Sequence, residues 1–247
     1  MVINTDGLII MEKSVSDSDR LVTILTRKFG VIRAFVRGAK NIKNKNFSAT
    51  QLFCYSDFSI YKGRDKYIIN ESVLKESFWG LRCSIEKLSL SQYFCELILN
   101  LVGEDNNSED ILRLMLNSLY YLSKGKMSDR LIKSVFEMRV LSMSGYMPNL
   151  VSCVQCGKAN HLYFVPNSNG IMCKECYEKV NLFGFKLSES VLYALRYTVY
   201  SEFNKMFAFE LKGQSEKDLS NITESYLLRC VDKKLRTLDF YKQLMIE

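Results

Sequence analysis

Leu21-Val22-Thr23-Ile24-Leu25-Thr26-Arg27-Lys28-Phe29-Gly30-Val31-Ile32-Arg33-Ala34-Phe35-Val36-Arg37 is the stretch on which the fold of the first third turns. Two runs rich in β-branched residues flank Arg27-Lys28-Phe29-Gly30, and Gly30 can take the positive φ that a tight connection needs. The pattern predicts a hairpin with a four-residue connection. Upstream, Val2, Ile3, Leu8, Ile9 and Ile10 form short apolar stretches around an Asp6-Gly7 turn signal. Downstream, residues 53–61 alternate imperfectly, Lys62-Gly63-Arg64-Asp65 marks a turn, and Tyr67-Ile68-Ile69 closes a second hairpin. Short strands at this spacing over about 75 residues predict a small five-stranded barrel of the OB type.

The pattern changes near residue 84. Ile85, Leu88, Leu90, Tyr93, Phe94, Leu97, Ile98 and Leu101 recur at helical spacing and stop near Gly103. A polar linker at 104–108 leads to a second helix over 110–122, ended by Gly125. A third helix starts after Ser128 as N-cap and runs towards Gly145 and Pro148. Residues 150–180 form a cysteine-bearing insert. Helical periodicity resumes after Lys186 with Val191, Leu192, Leu195 and Val199, and a last helix is predicted over 235–245. The expected class is therefore α+β: an N-terminal OB-fold β-barrel (1–80), a helical domain (81–149 and 181–247), and a four-cysteine module inserted in it (150–180).

Composition narrows the function classes. The chain has 247 residues, 47% hydrophobic and 25% charged, which excludes collagen-like and wholly disordered readings. No run of apolar residues is long enough for a transmembrane helix, and the start, with Asp6 and no basic segment, does not read as a signal peptide. A cytoplasmic location is expected. The net charge of +7 is unevenly placed: residues 1–80 hold 13 Lys and Arg against 8 Asp and Glu, and residues 81–247 hold 21 against 19. Between 27 and 45, Arg27, Lys28, Arg33, Arg37, Lys40, Lys43 and Lys45 occur with no acidic residue, a local field suited to a polyanion. Phe29, Phe35 and Phe47 are interleaved with them. On a small barrel, such cations track phosphates while exposed rings stack on bases. A solvated charged loop with its phenylalanines in the core remains the plain alternative.

Cys153-Val154-Gln155-Cys156 and Cys173-Lys174-Glu175-Cys176 are two Cys-x-x-Cys knuckles separated by 16 residues. Each tight turn presents two thiolates to one ion, and the pair supplies four soft ligands in tetrahedral geometry, which suits Zn²⁺. Four thiolates leave no open position for water, so the zinc is expected to be structural. A redox motif needs one knuckle, disulfides need an oxidising compartment, and an iron–sulfur cluster has no matching spacing here. His161, between the knuckles, reads as a loop residue. Cys54, Cys83, Cys95 and Cys230 stand alone in apolar contexts and read as packed thiols.

No G-x-x-x-x-G-K-[ST] or G-x-G-x-x-G phosphate cradle is present, and a single histidine makes histidine-based catalysis unlikely. The carboxylate pairs Asp17/Asp19 and Glu109/Asp110 lie at helix starts or in loops, where capping explains them. The chain reads as a binder, not a catalyst, with no catalytic residues assigned.

The order of basic barrel, helical body and four-cysteine insert resembles the RecO family of DNA repair and recombination mediators. Asp19-Arg20-Leu21-Val22-Thr23-Ile24-Leu25-Thr26-Arg27-Lys28-Phe29-Gly30 is similar to that family's DRLLTLFTREHG segment, and Val36-Arg37-Gly38-Ala39-Lys40 to its ARGARR segment. Phe136-Glu137-Met138-Arg139-Val140-Leu141 through Gly145-Tyr146-Met147-Pro148-Asn149-Leu150 resembles its FELRLLELLGYAPDL helix end. Cys153, Cys156, Cys173 and Cys176 match its zinc-bearing branch. Gln51-Leu52-Phe53 stands where the family often has Leu-Gln-Pro-Phe. The likeness is close over residues 1–180 and positional beyond.

The resemblance implies binding of single- and double-stranded DNA, strand annealing, and cooperation with RecR to help RecA replace single-strand-binding protein, in a bacterial, nucleoid-associated setting. With Arg20 added, the basic residues from Arg27 to Lys45 are the candidate DNA contacts. Lys133 and Arg139, near the matched helix, are candidates for the C-terminal tail of the single-strand-binding protein, with solvent-facing helix charges as the plain alternative. A zinc-containing protein–protein adaptor without direct nucleic-acid binding is the rival function.

Overall fold

A computed structural model describes residues 1–64, 66–103, 108–159 and 162–245. The end of the expected turn at Asp65, most of the expected linker at 104–108, and His161 lie outside the described residues.

The first strands are β1 (Val2–Ser14), β2 (Arg20–Thr26), β3 (Val31–Val36), β4 (Tyr55–Lys62) and β5 (Tyr67–Glu76). They close into the expected five-stranded barrel, in the order β1-β2-β3-β5-β4. The β2–β3 hairpin forms as the sequence predicts, with Gly30 at φ 65°. Closure comes from a parallel pairing of β3 with β5, Ala34 against Tyr67 and Phe35 against Ile68. Ile9, Val22, Ile24, Ile32, Ala34, Val36, Phe58 and Ile60 point inward as one apolar cluster.

Asp6-Gly7 does not turn the chain. β1 is continuous through it, pairing with β2 on one side and β4 on the other, and a register shift between Ile9 and Met11 lets it serve both. A glycine is needed at position 7 for closeness rather than for a turn, because a Cβ there would lie 2.7 Å from Ile24 Cγ2 and 2.8 Å from the Leu25 carbonyl oxygen. Locally, the two uses of glycine look alike. The missing proline before Phe53 coincides with another backbone feature: Phe53 itself takes φ 65°, with its ring buried.

Helices α1 (Ile85–Leu101), α2 (Glu109–Lys124) and α3 (Asp129–Met143) follow. Ser84 caps α1, its hydroxyl accepting the Lys87 N–H. The insert holds β6 (Leu162–Val165), β7 (Gly170–Cys173) and the short α4 (Lys174–Tyr177); β8 (Phe185–Lys186) pairs with β6 to complete a small sheet. Then come α5 (Glu189–Tyr200), α6 (Gln214–Cys230) and α7 (Arg236–Leu244). The sequence pattern did not single out α6. Its buried residues, Leu219, Ile222, Thr223, Tyr226 and Leu227 among them, are few and include polar ones, so its apolar stripe is faint.

The chain forms two compact units, Met1–Lys124 with Arg236–Glu247, and Gly125–Leu235. The last barrel strand ends at Glu76, a few residues before the expected boundary at 80, but the first unit continues through α1 and α2 and takes in α7. Glu96 on α1 fixes α7 there: its carboxylate oxygens accept the Arg236 and Thr237 N–H groups at 3.3 and 3.1 Å, satisfying donors that a helix start leaves open. In the second unit α3 is the central helix, with every residue from Leu131 to Leu141 buried.

Candidate metal centre and nucleic-acid interface

The sulfur atoms of Cys153, Cys156, Cys173 and Cys176 lie within 4.8 Å of one another. Tetrahedral ligation at a Zn–S distance of about 2.3 Å requires sulfurs roughly 3.8 Å apart, and Cys156 Sγ and Cys173 Sγ are 3.6 Å apart. The donor set therefore fits a metal ion. β6 and β7 bring the knuckles together by pairing Leu162 with Cys173, and the Val154 N–H reaches across to the Ile171 carbonyl. Burial pushes the Cys153 thiol up, but backbone hydrogen bonds from Cys173, Cys156 and Gln155 outweigh it and hold the thiol down to about 6. Cys176, hydrogen-bonded to the Cys156 and Cys173 thiols, is pushed the other way, up to about 12, so Cys153 rather than Cys176 is poised as the thiolate a metal needs. The module is anchored to the helices around it. Arg196 on α5 donates to the Leu150 and Val151 carbonyls at 2.7 and 2.9 Å, and Phe164 meets Tyr226 of α6 edge-on at 5.4 Å.

The basic residues of the barrel divide into two groups. Arg20 is half-buried, paired with Glu12 at 3.1 Å and lying over the Phe47 ring. Arg27 lies on Asp6 and also reaches Glu109 at 2.8 Å. Lys45 pairs with Glu71 in solvent. Lys40 extends to the Ser16 carbonyl at 2.6 Å. Lys28, Arg33, Arg37 and Lys43 are exposed, and among the described residues none of the four has a carboxylate within ion-pair distance.

Residues 37–50 fold into linked turns rather than trailing loosely. The Gly38 N–H donates to Asp19 Oδ1 at 2.9 Å, Asn44 Nδ2 donates to the Arg37 carbonyl at 3.0 Å, and Gly38 holds φ +62° against the Asn44 side chain. The Gly38 and Ser18 donors keep the Asp19 carboxyl below the usual carboxylate value. On β3, Ala34 and Val36 face the core while Arg33 and the half-buried Phe35 face outward. Phe35 and Arg37 line a cleft of about 150 Å³ with Asp19, Ile68 and Lys66. Lys66 was not among the candidates; β3–β5 closure, invisible in local sequence, brings it beside Arg37.

Lys133 and Arg139 require correction. Neither faces solvent. Lys133 is 2% exposed, with its ammonium 2.8 Å from Glu137 and 2.9 Å from Glu224, and Thr223 donates to Glu137 at 2.7 Å. Burial lowers the Lys133 pKa, but the two carboxylates outweigh it and hold the ammonium above its ordinary value. Lys133 thus ties α3 to α6 and is not available to a partner. Arg139 donates through Nη2 to the Ser201 carbonyl and, at 2.9 Å, to the Ser201 hydroxyl. Its Nε is buried without a hydrogen-bond partner, and burial lowers its pKa.

A closed barrel in one compact unit and a four-thiol cluster in the other are the two parts that the fold sets out. Sequence comparison makes the assignment specific. The N-terminal model of recombination protein O matches residues 1–78 and the C-terminal model residues 82–239, and the chain belongs to this family. The DNA repair protein RecO of Acetivibrio thermocellus is 34% identical over 244 residues, covering 98% of this chain and 97% of the relative. Those of Clostridium kluyveri and Alkaliphilus metalliredigens are 28% and 26% identical, over 99% of this chain and 95% and 100% of theirs. Among the described residues, no helix is long and apolar enough to cross a membrane.

Proposed function

We propose that this chain is a non-enzymatic DNA-binding recombination mediator acting in bacterial DNA repair, in the cytoplasm and at the nucleoid. The observation that carries it is a set of exposed cations without ion-pair partners among the described residues: Arg33, which faces outward on β3 as Phe35 does, Arg37 in the cleft beside Phe35, and Lys28 and Lys43 in the connections on either side of β3. Such a surface neutralises backbone phosphates with little sequence preference, in single or double strands. Two strands held on it repel each other less, which promotes annealing without any catalytic group. Family membership and the relatives' printed role in DNA repair support the repair part of this reading; cooperation with RecR and the handover from single-strand-binding protein to RecA belong to the same proposal.

Cys153, Cys156, Cys173 and Cys176 would hold a structural Zn²⁺, whose contribution is to cross-link the insert and orient it on α5 and α6.

The direct test is fluorescence anisotropy with labelled single strands and duplexes at low salt, followed by annealing of complementary strands. Binding of both forms and faster annealing are expected. A protein that captures partners but has no measurable nucleic-acid affinity would replace this reading with the adaptor one.

A further inference from the structure

Trp79 is the chain's single tryptophan, and it is 70% exposed. It follows β5 in a short 3₁₀ turn, Trp79–Cys83, entered through Phe78 in the left-handed region at φ 44°, ψ 48°. A bulky residue adopts that conformation only where its surroundings impose it. Here it sends two consecutive aromatics opposite ways, Phe78 into the core and Trp79 into solvent. The turn is firmly seated. A Cβ on Gly80 would lie 2.3 Å from the Ser123 carbonyl oxygen, so its backbone rests directly on the end of α2.

A cation is fixed beside the indole. The Arg82 guanidinium carbon is 5.6 Å from the Trp79 ring centroid, and its nitrogens donate to the Ser77 and Leu52 carbonyls, each at 3.1 Å. Among the described residues no carboxylate pairs with Arg82; the nearby Glu76 is turned to the Ser77 and Phe78 N–H groups. The pattern repeats on α2. Tyr120 is 42% exposed with Lys124 Nζ 5.8 Å from its ring centroid, and both flank Ser123, on which the turn rests. An exposed ring with an uncompensated cation, twice over, matches the alternation of base and phosphate in a single strand. A duplex hides its base faces and offers nothing for the indole to stack on.

We propose that Trp79 and Arg82, with Tyr120 and Lys124 beside them, form a base-stacking platform for single-stranded nucleic acid, separate from the basic face of the barrel. The platform rests on the DNA-binding function proposed above and gives it a means of telling single strands from duplexes.

Trp79 supplies its own reporter. The full-length protein with its metal bound is titrated with oligothymidylate, following tryptophan emission and, in parallel, the anisotropy of the labelled strand. Emission should be quenched with the same midpoint as the anisotropy change, and a blunt duplex at equal phosphate concentration should leave it unchanged. Trp79→Ala should weaken single-strand binding about five- to a hundredfold, the range one lost stack gives, with duplex affinity little changed. Trp79→Phe should restore most of the loss. Unmoved emission with wild-type affinity in Trp79→Ala would overturn the platform and leave the barrel face standing. Emission quenched only by a partner protein would assign the ring to a protein interface instead. No binding of strand or duplex by anisotropy at low salt would sink the DNA-binding function and the platform together.

Discussion

The Arg27 guanidinium lies bidentate on the Asp6 carboxylate, Nε to Oδ1 at 2.9 Å and Nη2 to Oδ2 at 2.7 Å, with the Tyr55 hydroxyl donating to the same carboxylate. One of the cations that make the sequence look DNA-binding is therefore part of the barrel's own framework. Asp6 sits in β1 where a turn was expected, and the pair ties that strand to the β2–β3 connection. Arg27→Ala should destabilise the protein by about 1–3 kcal/mol, since it strands a largely buried carboxylate, while the salt dependence of DNA binding stays as in wild type. Urea unfolding and anisotropy titrations on the same variant check both halves.

The same pair sets an acid limit. Burial pushes the Asp6 carboxyl up, but hydrogen bonds from Arg27 and Tyr55 outweigh it and bring it from 3.8 down to about 2. A depressed carboxylate contributes stability that is present above pH 3.8 and lost as pH falls towards 2. Unfolding free energy measured over that window should fall more steeply in wild type than in Asp6→Asn.

Lys133 makes a contrasting prediction in the second unit. Lys133→Met leaves the fully buried Glu137 without its cation and should cost about 3–5 kcal/mol. Lys133→Met combined with Glu137→Leu removes the fully buried carboxylate as well and should recover part of the loss, with the more exposed Glu224 still deprived of the Lys133 ammonium. Because the Lys133 pKa is raised, the pair's contribution is complete below pH 10.5 and disappears as pH rises through the higher folded value. Chemical denaturation of wild type, single and double variants settles the coupling.

Removing the metal should act on the unit Gly125–Leu235. Chelation or Cys153→Ser should release one zinc per chain and lower the unfolding midpoint, because ligand-binding energy is folding energy in such modules. Cobalt substitution should give the intense thiolate-to-metal absorption of a four-sulfur site. A spectrum of mixed nitrogen and sulfur ligation would contradict the donor set assigned here.

What could be read from the sequence was whatever local chemistry fixes. Gly30 between two β-branched runs made a hairpin, and the spacing of four cysteines made a four-thiol cluster. Asp6-Gly7 was misleading because a glycine required for close approach to Ile24 carries the same local signal as a turn. The burial of Lys133 was hidden because it depends on α6, whose weak stripe gave no sign that α3 is covered on all sides. Charge number overstated the interface for the same reason: the acids that occupy Arg27 lie 21 and 82 positions away. Lys66 lies 29 positions from Arg37 and comes into its cleft only through barrel closure.

On the function proposed above, the exposed cations Lys28, Arg33, Arg37 and Lys43, and not the committed Arg27, hold DNA. The measurement that tests it is the slope of log affinity against log salt for a single-stranded oligonucleotide, compared across wild type, Arg27→Ala, and the double variant Arg37→Ala/Lys43→Ala. The double variant should lose about 0.7 of slope for each phosphate contact removed, with Arg27→Ala matching wild type. An unchanged slope in the double variant, or a slope reduced by Arg27→Ala alone, would contradict this placement of the DNA interface.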